Sequence, residues 1–277
     1  MATDPVSIDL NVDAALLLRS MVGIDTYPPV LSIRPNIFRI QDRDRVWAIV
    51  REQLAEAGMI SGDEVHPVVA GWIRRLARPD TELMVQVIDR DQGTQTPTIL
   101  RASLVRAGNE HVLAVRHDDH IVIQAVFHEG RDLNTLTAVV KSALGDYPAL
   151  DFDPLVVPAA ALEDIPAGPD ERRAELRELG ALPRTASVLT RAMEEVVRRA
   201  EVIMVQHRDG GGVPDMNACM NVIDTLAGRL VATPSRAADG QLWSTFRPGD
   251  DPALHSGINA LAELLPGRSW FDTARTG

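Results

Sequence analysis

Arg51-Glu52-Gln53-Leu54-Ala55-Glu56-Ala57-Gly58-Met59-Ile60 is echoed later in the chain by Arg173-Ala174-Glu175-Leu176-Arg177-Glu178-Leu179-Gly180-Ala181-Leu182. Both stretches read as the end of a helix, with glycine at the stop position where a left-handed backbone is cheapest. A second helix follows each. In the first copy Val69, Trp72, Ile73 and Leu76 recur at helical spacing, and in the second Leu189, Ala192, Met193, Val196 and Ala200 do so. The second helix of the later copy is therefore expected over Arg184 to Arg199. Each leads into a strand, Met84-Val85-Gln86 in one copy and Met204-Val205-Gln206 in the other.

The parallel continues outward. Ala102 to Val105 and Asn221 to Asp224 run into turns at Gly108 and Gly228, followed by strands Val112 to Val115 and Leu230 to Ala232. Polar turns at His117-Asp118-Asp119-His120 and Ala238-Asp239-Gly240 return the chain as Ile121 to Phe127 and Gln241 to Phe246. A closing helix in each copy matches Leu133, Val140 and Leu144 to Leu254, Leu261 and Leu265. Each half thus reads helix, helix, four strands, helix. A strand at Ser7 to Leu10, a helix at Val12 to Val22 and an extended Pro28 to Pro35 precede the first copy.

The expected fold is α+β, one unit of two halves related by a quasi-twofold axis, with a mainly antiparallel central sheet flanked by helices. Its parts are an N-terminal half at 1–150, a connector at 151–170 and a C-terminal half at 171–277. The connector carries Pro154, Pro158, Pro166 and Pro169, too many fixed dihedrals for a continuous helix. The segments 89–97 and 208–217 read as loops between strands.

Composition sets outer bounds. The 277 residues carry 28 Lys plus Arg against 39 Asp plus Glu, a net charge of -11, with no basic cluster to attract phosphate or anionic lipid. A single cysteine, Cys219, excludes an internal disulfide and reads as a small buried apolar group. The N-terminus has no basic stretch ahead of an apolar run, and no segment approaches the length of a membrane span, so a cytoplasmic location is expected.

The usual chemical signatures are missing. His117 and His120 flank Asp118 and Asp119, with His111 and His128 nearby, but a tight hairpin splays such side chains apart, so no metal is expected. Arg208-Asp209-Gly210-Gly211-Gly212 has no Gly-Lys-Ser/Thr closure and is followed by Pro214, unlike a phosphate loop. Asp42 with Asp44, and Asp250 with Asp251, sit at helix starts, where carboxylates stabilise the dipole. Trp47, Trp72, Trp243 and Trp270 read mainly as core. No nucleophile elbow or triad is defined, and neither catalytic residues nor a cofactor are expected.

Five blocks in register resemble the EspG family of type VII (ESX) secretion-associated proteins from mycobacteria and related actinobacteria. They are Leu10-Asn11-Val12-Asp13 with Val30 to Asn36; Glu56 to Ile60 with Val65 to Ile73; Leu104 to Gly108 with His111 to Arg116; Val222 to Leu230 with Pro234-Ser235-Arg236; and Leu264 to Phe271. The resemblance implies a cytosolic chaperone that binds the helical tip of the PPE subunit in PE/PPE heterodimers, keeps it soluble and directs it to a secretion system. It also implies a single unit with quasi-twofold symmetry and a C-terminal helical region. Implied partner contacts are Asp89, Arg90, Asp91, Gln92, Thr94 and Gln95 in the loop, Val205 and His207 on the central sheet, and Leu189 and Met193 on the helix. Neither nucleic acid, membrane nor small-molecule substrate is implied.

Two other readings compete. One is an enzyme or small-ligand sensor with a pocket between the halves, using His and Asp residues of the hairpins. The other is a homodimer that pairs exposed sheet edges. Tyr147-Pro148-Ala149-Leu150-Asp151 matches the Tyr-x-x-x-Asp signal of type VII cargo, but Pro148 breaks the helix and no Trp-x-Gly accompanies it, so the match is read as chance.

Overall fold

A computed structural model describes residues 4–35, 40–90, 97–208, 218–273 and 275, with backbone alone at 40–42. The first helix end is built as its glycine implies. Helix α2 (Ile40–Glu56) stops at Gly58, whose φ is 70°, and Met59 N–H reaches back to Leu54 O at 2.9 Å. Helix α5 (Pro169–Glu178) ends the same way, with Gly180 at φ 100° and Ala181 N–H on Leu176 O at 2.9 Å. These six-to-one bonds satisfy carbonyls that a helix end otherwise leaves open.

The remaining elements keep the repeated order. After β1 (Ser7–Asn11), α1 (Val12–Val22) and α2 come the short hairpin β2 (Ile60–Ser61) and β3 (Glu64–Val65), and then α3 (Pro67–Ala77). Four strands follow, β4 (Thr81–Asp89), β5 (Thr98–Ala107), β6 (Glu110–His117) and β7 (His120–Val126), closed by α4 (Asn134–Leu144). In the second half β8 (Leu155–Pro158) precedes α5 and α6 (Pro183–Glu194). Strands β9 (Val196–Gln206), β10 (Met220–Thr225), β11 (Gly228–Arg236) and β12 (Leu242–Pro248) then lead to α7 (Asp251–Leu264).

All ten long strands form one antiparallel sheet, in the order β1-β7-β6-β5-β4-β9-β10-β11-β12-β8. Outward from the central β4 and β9 pair, the four strands of each half follow in chain order, and one strand from outside the repeat ends each side. Register runs from Thr81 opposite Gln206 to Asp89 opposite Arg198.

Three differences from the sequence reading stand out. Val196 and Ala200 belong to β9 and not to the preceding helix, because β9 must be long enough to pair along all of β4. The connector supplies β8, which pairs with β12, and a 3-10 turn at Ala159–Leu162. Proline is tolerated at such an edge because its missing N–H faces no partner. The extended segment after Pro28 likewise contains a 3-10 turn, Pro29–Leu31.

The matching tripeptides are also out of step. Leu83 lies opposite Met204, so Met204 shares a face with Leu83 and Val85, whereas Met84 points to the other side. A slip of one residue reverses every side chain in a strand. The elements therefore correspond while this three-residue identity does not.

One face of the sheet is covered by α4 over β4 and β5 and by α7 over β9, β10 and β11, the two helices touching. Leu83, Val85, Val87, Ala200, Val202 and Met204 pack there against Leu136, Val140, Leu254 and Ile258. On the opposite face α1, α2 and α3 bury Val105, Val112, Ala114, Ile121 and Ile123 in the first half. In the second half, α5 and α6 enclose Leu230, Ala232 and Phe246, together with Leu155 and Val157.

Candidate functional site

Between those two helical groups the middle of the sheet is left open. Strand alternation turns Met84, Gln86 and Ile88 of β4 toward this gap, with Ile99 and Arg101 of β5, Arg199, Glu201 and Ile203 of β9, and Asn221 and Ile223 of β10. Arg199 and Glu201 are exposed and the other eight are half-buried. Isoleucine is favoured here because a branched side chain fits a pleated surface, yet no helix finishes the burial.

Toward the second half the strip deepens into a groove of about 520 Å³, where Leu162, Ile165, Met193, Ile223 and Phe246 supply apolar walls and Arg172 and Arg199 the charge. Arg172 is already committed, donating to Pro166 O at 3.2 Å and to Thr190 O at 3.4 Å. At the far end the buried Glu82 carboxylate accepts from Ser103 Oγ at 2.7 Å and meets His207 Nε2 at 3.0 Å.

The other cavities show no convergent chemistry. A pocket of about 320 Å³ between the ends of α4 and α7 is lined by Lys141, Asp146, Tyr147, Arg229, Asp250 and Asp251, without a histidine. Its charges are spent internally, Lys141 on Asp251 and Arg229 on Asp224 at 2.6 Å. Asp250 caps α7, accepting from Ala253 N–H at 2.9 Å. His117 and His120 stand exposed on their hairpin near Asp118 and Asp9, at 4.0 and 3.8 Å. Among the described residues no three His, Cys, Asp or Glu side chains group as a metal would require. The pocket reading with hairpin His and Asp residues thus finds no geometry to support it.

A sequence profile of the EspG family matches residues 11–260. The chain belongs to the EspG family. It is 30% identical over 272 residues to the ESX-1 secretion-associated protein EspG1 of Mycobacterium marinum, covering 98% of this chain and 93% of that one. Identity is 29% over 277 residues to the ESX-3 secretion-associated protein EspG3 of Mycolicibacterium smegmatis, with 96% and 90% covered. In fold it matches the Mycobacterium tuberculosis type VII secretion system chaperone EspG5, solved in complex with a PE25-PPE41 dimer. The TM-score is 0.78 at 21% identity, over 97% of this chain and 100% of that one.

The contacts implied by EspG resemblance scatter over this frame. Met193 lines the groove and His207 sits beside Glu82, at opposite ends of the open strip. Leu189 and Val205, at 0% and 2% exposure, are core residues that support the surface without presenting any of it. Asp89 ends β4 on the α4 face, held by Arg198 at 2.8 and 3.1 Å, and Arg90 is exposed just beyond it. Asp91, Gln92, Thr94 and Gln95 lie outside the described residues, as do 209–217 of the second loop. Missing from the sequence reading were Met84, Gln86, Ile88, Arg101, Arg199 and Ile203. Their signal was polar and apolar side chains alternating on strands that prove to be central.

Other readings sharpen as well. Tyr147 Oη donates to Thr225 O at 2.9 Å and Leu150 is buried, so the Tyr-x-x-x-Asp stretch is part of the EspG fold. Cys219 is only half-buried, its thiol pushed up to about 11 by burial and then by Glu201. Trp72 and Trp270 are core, whereas Trp47 and Trp243 are partly exposed. No helix among the described residues is long and apolar enough to cross a membrane.

Proposed function

We propose that this chain is a non-enzymatic cytoplasmic chaperone of type VII secretion, binding the helical tip of the PPE subunit in PE/PPE heterodimers and directing the pair to its ESX system. The observation that carries the reading is the open strip: between the two groups of helices on one face, the sheet leaves half-covered isoleucines and charge at its centre, in a member of the EspG family. An apolar tip needs such a surface, since exposed apolar area otherwise drives aggregation. The likeness in fold to EspG5, whose solved complex holds PE25-PPE41, supports the same partner class.

Contact is centred on Met84, Gln86, Ile88 and Ile203, with Met193 at one end and His207 at the other. Contacts from Arg90, Asp91, Gln92, Thr94 and Gln95 are part of the proposal on family resemblance alone. The two halves act as one domain about a quasi-twofold axis between β4 and β9, so the strip straddles the axis and a cargo tip touches both. Co-expression with each PE/PPE pair of the source genome tests the function. A cognate pair co-purifies as a 1:1:1 complex burying about 1,200 to 2,000 Å². Failure with every pair would overturn the proposal.

A further inference from the structure

Two arginines of the central strands turn onto the open strip, Arg101 from β5 and Arg199 from β9. Arg106, Arg116, Arg172, Arg198 and Arg229 all donate to carbonyls or carboxylates. The guanidinium groups of Arg101 and Arg199 make no hydrogen bond or ion pair to any described residue. Arg101 lies opposite Gln86 on one side of β4, and Arg199 opposite Ile88 on the other. Two strand spacings and one side-chain repeat separate them by roughly 12 Å at the backbone, close enough for the guanidinium groups to converge over β4.

Arg101 also stands directly across from Arg116 of β6, and like charges in that position destabilise a sheet. The crowding shows in Arg116, whose charged form is disfavoured by burial first and then by Arg101. Arg116 is relieved by Leu31 O at 2.9 Å, whereas Arg101 has no such relief among the described residues. Against these cations the strip offers Glu201, which forms no ion pair with either among the described residues, and at its far end Glu82, which is already held by Ser103 and His207. A chain of net charge -11 thus presents a cationic, isoleucine-lined centre on one face.

We propose that Arg101 and Arg199 are a carboxylate-binding pair that reads an acidic side chain on the bound protein, while neighbouring apolar side chains of that protein pack on Ile88, Ile99 and Ile203. The inference rests on the chaperone reading and adds to it the chemistry of the cargo surface. Guanidinium suits this task because its planar fork binds carboxylate in two places, and a partly desolvated pair of that kind is far stronger than one at an exposed rim.

The test compares wild type with Arg101→Ala, Arg199→Ala, the double variant and Ile203→Asp, each titrated with the PE/PPE pair that co-purifies with wild type. Thermal melts check folding. Each arginine change is expected to weaken binding tenfold or more, to flatten its salt dependence and not to lower the melt; Ile203→Asp also abolishes capture. Retained affinity in both alanine variants with loss in Ile203→Asp overturns the arginine pair but keeps the strip as the binding face. Retained affinity in all of them removes the strip itself. Capture of no pair by wild type is a failure of the chaperone reading, and the pair falls with it.

Discussion

Gly228 turns β10 into β11 with φ at 141°, and a Cβ there would lie 2.7 Å from Leu150 N and 2.8 Å from Leu150 Cα. Its counterpart in the first half, Gly108, has φ of 61° and open space around it. Gly228→Ala is therefore expected to cost roughly 2 kcal/mol or more in urea unfolding, since the left-handed backbone and the contact both oppose it. Gly108→Asn should stay within about 1 kcal/mol, because asparagine tolerates that conformation. His111 gives a pH-dependent counterpart. It is buried, accepts from Trp270 Nε1 at 3.0 Å, and is held down to about 4 by burial first, then by His128 and Arg106. Folded His111 thus stays neutral where the unfolded chain has taken up a proton. Stability is present above about pH 6.5 and is lost as pH falls toward 4, by on the order of 2 to 3 kcal/mol for this group. In His111→Gln, which keeps an acceptor for Trp270 and does not titrate, the melting temperature should change less over that window.

At the level of elements, the parts legible in the sequence were those fixed locally. Gly58 and Gly180 stop their helices by backbone conformation alone, and the hairpins announce themselves through turn residues and alternation. The start of β9 was not legible, because Leu189, Ala192, Met193, Val196 and Ala200 keep helical spacing across a boundary that only β4, as the pairing partner, decides. Strand β8 was hidden for a similar reason: four residues next to prolines become a strand only because β12 lies alongside. The open strip needs two further facts, which strands are central and which face each residue takes. The shared Met-Val-Gln suggested equivalence, yet Met84 faces the strip and Met204 faces α7.

For the whole molecule, each half holds the closing helix of the other. Arg106 on β5 binds Trp270 O at 2.7 Å and Thr273 Oγ1 at 2.9 Å, securing the chain after α7. Arg198 and Arg229, from β9 and β11, bind Leu144 O at 2.7 Å and Gly145 O at 3.1 Å at the end of α4, where cations also answer the helix dipole. With β4 and β9 paired between the halves as well, fragments 1–150 and 151–277 should each lack cooperative melting, and the intact chain should unfold in one transition by circular dichroism. A cooperative melt for 1–150 alone would show that the halves fold independently.

The strand at either margin of the sheet has a consequence for solubility. Without β1 and β8, the outer strands β7 and β12 would each offer a row of unpaired backbone groups on which a second chain could build. What stands there instead is poor material for growth. Strand β1 turns Ser7, Asp9 and Asn11 outward, so pairing with its own copy about Asp9 would set carboxylate against carboxylate, and β8 is four residues long with Pro158 at its end. A homodimer joined edge to edge is disfavoured at both sides. The growth points of the sheet are thus closed by strands recruited from outside the repeated plan.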